Sequence, residues 1–190
     1  MKKGKIIVLV APSGAGKTSI GQLLLEEIEN LTFSVSATTR PPRKGETDGV
    51  DYHFLSPEAF QEAIDSDKFI EWEEFYGGKR YGTLQSEVDK QLNLGYFILL
   101  DVEVKGAINV KRLYNNDCLT IFIEPPSLEI LKQRLIGRGT ENDDSLALRL
   151  ERAKEELTYA PQFDYIVVND VLETAYADVK SKVLTFMNLK

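Results

Sequence analysis

The sequence has very little of the residues on which several kinds of chemistry depend. Its 190 residues include one cysteine, Cys118, and one histidine, His53. A single cysteine excludes an internal disulfide and fits a reducing compartment, so a cytoplasmic location is expected. Neither residue belongs to a recognisable catalytic arrangement, because His53 is isolated and Cys118 directly precedes an apolar run. Both are interpreted as structural.

Long apolar runs and an excess of positive charge are also missing. The N-terminal run Ile6–Val10 is too short for a membrane span or a signal-peptide core, so no membrane partner is expected. Lys and Arg number 23 against 30 Asp and Glu, which gives a net charge of -7 and argues against a nucleic-acid partner. A small anionic ligand is compatible with this charge, because a local cluster of Lys and Arg suffices to hold it. An oligomer is compatible as well.

Short apolar runs alternate with helical patterns, and this alternation predicts an α/β fold. The runs are nearly continuous, as strands are when helices cover both faces of a parallel sheet. Apolar residues at helical spacing follow between Ile20 and Leu31 and between Leu172 and Phe186. The predicted strands are Ile6–Val10, Phe97–Val102, Leu119–Ile123 and Tyr165–Val168. We expect one domain over 1–190, with a core formed by 1–34, 96–126 and 159–190.

Residues 35–95 interrupt this alternation. The stretch 36–81 is rich in Gly, Pro, Tyr and charge and is predicted to form an inserted lobe. Ser56 is expected to cap a short helix that begins at Pro57. Thr83 is expected to cap a second helix, which Gly95 ends.

Residues 127–158 have the pattern of a helical lid. Pro125 and Pro126 stop the preceding strand, and Ser127 is expected to cap a first helix. Glycines then flank Arg138, which predicts a hinge, and a strongly charged second helix continues to about Leu157.

A phosphate-binding turn is predicted directly after the first strand. The P-loop pattern G-x-x-x-x-G-K-[ST] joins a strand to a helix, and the sequence supplies all of it except the first glycine. Alanine at that position requires a negative φ. Small residues let backbone N–H groups surround phosphate oxygens, while Lys17 bridges the β- and γ-phosphates of ATP. The predicted ATP contacts are Ala11, Pro12, Ser13, Gly14, Ala15, Gly16, Lys17, Thr18 and Ser19.

A Mg²⁺ site is predicted beside this turn, with ATP as the phosphoryl donor. Thr18 offers its hydroxyl to the ion. The apolar run from Phe97 ends at Asp101, whose carboxylate is expected to hold Mg²⁺ through water. Taken alone, Asp101 would be an ordinary turn residue. Glu103 faces the same side if the strand continues.

The inserted stretch carries a candidate site for a second phosphate. Arg40 and Arg43 lie on a proline-stiffened segment, and two guanidinium groups held together can grip a phosphate bidentately. Tyr52 and Tyr81 add hydroxyl donors. The alternative is a solvated basic loop, although the P-loop in the same chain favours a phosphate site.

Glu71 is a candidate for recognising a base. It lies within the apolar stretch from Phe69 to Trp72, where a buried carboxylate is costly unless it meets a donor. Guanine presents N1–H and an exocyclic amine side by side, whereas adenine presents an acceptor at N1. A buried group left unpaired in this way can discriminate by about 10⁴. The alternative is a surface carboxylate on an edge strand.

These segments together resemble the guanylate kinase family over nearly the whole chain. The resemblance implies a P-loop nucleoside monophosphate kinase fold with a parallel sheet core, an inserted GMP-binding lobe at 35–95 and a helical lid at 127–158. It also implies transfer of the γ-phosphoryl group of ATP to GMP. The matching segments are APSGAGKT, SVSATTRPPRKGETDGVDYHF, FIEWEEF, YGT, ILLDVEVKGA, RLIGRGTENDDSLALRLERAKEEL and IVVND.

The resemblance assigns further roles by position. The lid arginines Arg138 and Arg149 match residues that reach the ATP phosphates and act with Lys17 in catalysis, with Arg134 nearby. Asn169 falls where the family contacts adenine. The positions that match guanine contacts are Ser36, Glu71, Thr83 and Glu103. Those that match contacts with the GMP phosphate are Arg40, Arg43, Tyr52 and Tyr81.

Two other functions stay open at this point. Guanylate-kinase-like domains also act as non-enzymatic protein-binding modules, but these typically lose the phosphate loop, which Lys17 and Thr18 preserve here. The chain could also be a P-loop kinase for a sugar phosphate or another nucleotide. Ser36 together with Glu71 argues against a sugar phosphate or another nucleotide as the phosphoryl acceptor.

Overall fold

A five-stranded parallel sheet forms the centre of the molecule, as the alternating pattern predicts. The computed structural model describes residues 3–75, 77–137 and 143–188. The strands of this sheet are β1 (Ile6–Val10), β2 (Leu31–Phe33), β7 (Phe97–Asp101), β8 (Cys118–Glu124) and β9 (Tyr165–Val168). Their order is β2-β7-β1-β8-β9. Strand β1 is therefore central, and the turn that follows it lies at the carboxyl edge of the sheet, where ligands of open α/β folds bind.

Helices cover both faces of this sheet. The helices are α1 (Lys17–Glu27), α2 (Pro57–Asp65), α3 (Gln85–Asn93), α4 (Val104–Tyr114), α5 (Leu128–Gly137), α6 (Asp143–Leu157) and α7 (Leu172–Met187). Helices α1 and α7 pack with Ile7 and Leu9 on one face. Helices α3 and α4 pack with Ile6 and Val8 on the other. Because successive strand residues point to opposite faces, β1 is buried along its whole length.

A second, four-stranded sheet lies within the stretch predicted as an insert. Its strands are β3 (Ala37–Thr38), β4 (His53–Phe54), β5 (Phe69–Phe75) and β6 (Lys79–Leu84). Their order is β4-β3-β6-β5, and β5 and β6 form an antiparallel pair. Helix α2 packs on this sheet through Phe60, whose ring centroid is 4.4 Å from that of Phe69.

Helices α5 and α6 form a pair beside the phosphate turn. Leu131, Leu135 and Ala153 are buried between them. Helix α5 also packs on the turn, since a Cβ added at Gly14 would lie 3.0 Å from Leu135 Cδ2. The predicted end of the second helix at Leu157 is confirmed. The predicted hinge at Arg138 lies outside the described residues. No helix in the described parts of the chain is long and apolar enough to cross a bilayer.

Three of the predicted helix signals are confirmed and one is wrong. Ser56 Oγ accepts from Ala59 N at 3.1 Å, and Ser127 Oγ accepts from Ile130 N at 3.2 Å. Gly95 follows α3 with φ +89°. Thr83, however, does not cap α3, because it belongs to β6 and Leu84 occupies the cap position. The strand continues through Thr83, and pairing with β5 takes precedence over the capping preference.

The end of the first helix and the burial of the last strand also differ from the predictions. The first helix ends at Glu27, and Leu31 belongs to β2 rather than to the helical pattern. Both arrangements bury Leu31, so apolar spacing alone does not separate them. Strand β9 is exposed at three of its four residues, because it lies at the edge of the sheet rather than inside it.

Candidate functional site

The turn between β1 and α1 has the geometry of a phosphate cradle. Gly14 and Gly16 have φ values of +92° and +99°, which side chains rarely adopt. Ala15 N donates to the carbonyl of Pro12 at 3.0 Å, which closes the turn. Ala11 is not among the described non-glycine residues with positive φ, so alanine meets the backbone requirement at this position. The turn leads into the N-terminus of α1, where the helix dipole favours anions.

A cavity of about 540 Å³ lies over this turn. Lys17 and Asp101 form an ion pair within it. Thr18 is exposed to the same cavity. A hydroxyl and a carboxylate facing one space are oxygen donors of the kind that Mg²⁺ prefers, so Thr18 and Asp101 fit this ion.

A second cavity of about 600 Å³ opens beside the first. It is lined by five of the residues predicted to bind GMP, which are Ser36, Tyr52, Glu71, Tyr81 and Glu103. Phe75, Asp101 and Glu103 line both cavities. The two spaces therefore meet at the carboxyl end of β7.

Glu71 is held in the wall of the second cavity by its neighbours. Its Oε1 accepts from Thr83 Oγ1 at 2.6 Å, across the β5–β6 pair. Burial raises the pKa of Glu71, and the hydrogen bond from Thr83 opposes this shift. Helix α4 approaches closely at Gly106, where an added Cβ would lie 3.1 Å from Glu71 Cγ. The side chain is thus fixed between a strand and a helix and is not the surface carboxylate of the alternative interpretation.

Arg40 and Arg43 are placed apart from the second cavity. The Arg40 guanidinium pairs bidentately with Glu46, with both N–O distances at 2.8 Å. This partner lowers the pKa of Glu46 to about 2. Arg40 Cζ lies 5.2 Å from the ring centroid of Tyr52, so it sits behind a residue that lines the cavity. Arg43 is exposed, and its backbone N–H donates to Glu46.

The remaining predicted ATP contacts are divided between the cavity and its surroundings. Arg149 of α6 lines the first cavity together with Lys17. Arg134 Nη2 donates to the carbonyl of Asp170 at 3.1 Å. Asn169 is buried behind the cradle, where its Nδ2 donates to the carbonyl of Ala15 at 2.8 Å. Asn169 therefore braces the turn from within. Arg138 lies outside the described residues.

Sequence reasoning missed several residues that line these cavities, and Glu73, Phe75 and Arg152 are among them. Glu73 and Phe75 follow Glu71 at a spacing of two on β5, so all three face the same side. Arg152 follows Arg149 at a spacing of three on α6, and both line the first cavity. The strand and helix periods could have identified these residues once Glu71 and Arg149 were selected.

Cys118 is confirmed as a packing residue. It is buried at the start of β8, and burial raises the pKa of its thiol to about 12. The thiol therefore stays protonated at neutral pH and is not a nucleophile.

Gly16→Ala should reduce ATP affinity by about tenfold or more, because it adds strain at a φ of +99°. The new Cβ would also lie 2.2 Å from Asn169 Nδ2. Isothermal titration with ATP would measure the loss. Gly45→Ala is a matched control, since Gly45 has a φ of +95° but no atom within 4 Å of an added Cβ. Equal ATP affinities for the two variants would contradict the assignment of this turn.

The parallel sheet, the glycine turn after its central strand and the paired cavities define the chain as a P-loop protein of the kinase type. A family model described as "Guanylate kinase" matches residues 3–185. The chain therefore belongs to the guanylate kinase family.

Individual relatives agree with this family. A guanylate kinase of Chlorobium chlorochromatii is 51% identical over 184 residues, with 97% of this chain and 96% of the relative covered. One of Salinibacter ruber is 50% identical over 188 residues, covering 99% of this chain and the whole of the relative. The crystal structure of guanylate kinase from Anaplasma phagocytophilum superposes with a TM-score of 0.72 at 30% identity, covering 97% of this chain and 86% of that one.

Proposed function

We propose that the chain transfers the γ-phosphoryl group of ATP to GMP, giving ADP and GDP. The observation that carries this proposal is the shared wall of the two cavities at Phe75, Asp101 and Glu103. A triphosphate in the cradle and a monophosphate in the second cavity would approach each other at this wall. The chain would act in the cytoplasm, where both nucleotides are available.

The second cavity would hold GMP. Glu71 would accept from N1–H and the exocyclic amine of guanine, with Ser36, Thr83 and Glu103 as further contacts. Thr83 already donates to one oxygen of Glu71, which fixes the direction of the carboxylate. Tyr52 and Tyr81 would donate to the GMP phosphate. Arg40 would join them if its guanidinium exchanged Glu46 for phosphate, which is also a bidentate acceptor. Arg43, whose backbone N–H contacts Glu46, would add its own guanidinium.

The first cavity would hold the ATP phosphates against the backbone N–H groups of residues 11–19. Lys17 would neutralise the transferred group, and Arg138 and Arg149 would do so from the lid. Thr18 and Asp101 would hold Mg²⁺, which supplies further neutralisation of the β- and γ-phosphate oxygens when bound. Asn169 and Arg134 would support the adenine side of this site. A phosphate monoester oxygen is already an anionic nucleophile, so alignment replaces a protein base.

We also propose that the lobe at 35–95 and the lid at 127–158 close over both nucleotides and exclude water. The first cavity supports this, because the lobe contributes Phe75 of β5 to its lining and the lid contributes Arg149 of α6. Small-angle scattering should show a smaller radius of gyration with GMP and a non-hydrolysable ATP analogue together than without ligand. An unchanged radius at saturation would contradict closure.

The activity is tested by ADP release from ATP and Mg²⁺ with a panel of nucleoside monophosphates and sugar phosphates. We expect strong preference for GMP, with AMP at least about 10⁴-fold poorer in kcat/KM. Preference for another acceptor would assign the chain to a different P-loop kinase. Release with none of them would favour a non-enzymatic module.

A further inference from the structure

Arg152 joins three separate parts of the molecule, and two of its partners, Glu73 and Glu103, line the second cavity. It lies on α6, and its Nη2 donates to Glu103 Oε2 at 3.0 Å. The same nitrogen lies 3.4 Å from Glu73 Oε1 on β5, while Nε donates to Glu156 Oε1 at 3.0 Å. One side chain thus connects the lid helix, the lobe and the residue that precedes α4.

We propose that Arg152 is a positioning residue for guanine recognition, holding the Glu103 carboxylate in the direction that meets the base. This inference rests on the proposed GMP kinase activity. Arg152 engages Oε2 of Glu103, which leaves Oε1 to accept from guanine. Glu103 precedes α4 but makes no side-chain capping bond to it, so the helix does not fix its carboxylate. The guanidinium of Arg152 supplies that constraint.

The charges around Glu103 explain why a cation is needed at this position. Glu71 and Glu73 face the same cavity as Glu103, and like charges repel. Burial raises the pKa of Glu73, and the nearby Glu103 raises it further. Burial and Glu103 act in the same way on Glu156. Arg152 contacts Glu73, Glu103 and Glu156, so it offsets their repulsion and keeps Glu103 from turning away from the base.

Arg152 is suited to a functional test because its loss should disturb the fold little. Its side chain is 51% exposed, and exposed ion pairs contribute little to stability. Arg152 also lines the cavity over the phosphate turn, which raises a distinct alternative. A direct contact with ATP phosphates would act independently of Glu103, and the test must separate the two roles.

A double-mutant cycle of Arg152→Met and Glu103→Gln separates them. Arg152→Met alone should raise KM for GMP by about tenfold, within the range of measured coupling energies, with KM for ATP and kcat nearly unchanged. In the Glu103→Gln background it should have almost no further effect. Arg152→Lys keeps the charge but loses the fork, so its KM should be intermediate. Lys154→Met on the same helix removes an exposed pair with Glu151 and should match the wild type.

The possible results distinguish failure of the Arg152 role from failure of the proposed function. Additive effects of the two substitutions, or a loss confined to kcat or to KM for ATP, would overturn the positioning role of Arg152. Wild-type chain without GMP kinase activity would instead overturn the proposed function. Thermal melts of each variant would show whether a kinetic change follows from unfolding, and Arg152→Lys retains the test if Arg152→Met does not fold.

Discussion

Replacing Lys17 by methionine should lower kcat by about 10³-fold, because one preorganised cation at the transferred group commonly has an effect of this size. Lys17 is the first residue of α1, directly after the cradle glycine, and is positioned in the phosphate cavity by Asp101. Its ammonium would meet charge that develops on the γ-phosphoryl group during transfer. ADP release at saturating ATP and GMP would measure the change.

The Lys17→Met variant should still bind GMP within about twofold of the wild type, since Lys17 does not line the second cavity. Lys180→Met is a suitable control. Lys180 also pairs with a carboxylate, that of Glu27, but on the surface between α7 and α1. We expect the control to keep full activity. Substantial turnover by Lys17→Met would contradict the assignment of the cradle lysine.

Replacing Glu71 by glutamine should lower kcat/KM for GMP by about a hundredfold, as expected for losing hydrogen bonds to a buried charged group. The amide would present a donor where guanine also presents donors. ATP binding should change little, because Glu71 does not line the first cavity. Steady-state kinetics with each nucleotide varied in turn would separate the two effects.

Glu71→Gln should not destabilise the protein, and this distinguishes a recognition role from a packing role. Burial raises the folded-state pKa of Glu71 above its unfolded value, so the folded state binds the proton more tightly. Stability is therefore lost as the pH rises from the unfolded pKa through the folded one, and the ionised carboxylate is unfavourable at neutral pH. Removing that charge should keep or raise the melting temperature at pH 7.

Glu74→Gln is the matched control for this variant. Glu74 lies on the same strand but is exposed and pairs with Arg80. We expect this substitution to leave KM for GMP unchanged. A Glu71→Gln enzyme with wild-type efficiency for GMP would remove Glu71 from the base site.

Local sequence was sufficient to predict the phosphate cradle and the sheet that presents it. The turn depends on residues adjacent in the chain, and β1 is recognisable from its unbroken apolar run. Thr83 shows where local signals fail, because a strand partner 12 residues away determines its role. A helix cap and a strand position were both compatible with its immediate neighbours.

Contacts between distant segments could not be derived from residue patterns alone. Arg152 meets Glu103 and Glu73 across 49 and 79 residues, and only the packing of α6 near β5 brings them together. Similarly, the sequence identified Arg40 as a candidate phosphate ligand but did not reveal that its guanidinium pairs with Glu46. Many carboxylates in a sequence could pair with a given arginine, and only the distances in the folded chain show which of them does.

A crystal structure with GMP and a non-hydrolysable ATP analogue, both at saturating concentration, would show whether the two cavities hold the two nucleotides as proposed. We expect guanine in the cavity of Glu71, with its N1 and exocyclic amine within hydrogen-bonding distance of that carboxylate. We expect the triphosphate over residues 11–18, with its terminal phosphate facing the GMP phosphate near Asp101. A base bound away from Glu71, or either cavity left empty under these conditions, would contradict this proposal.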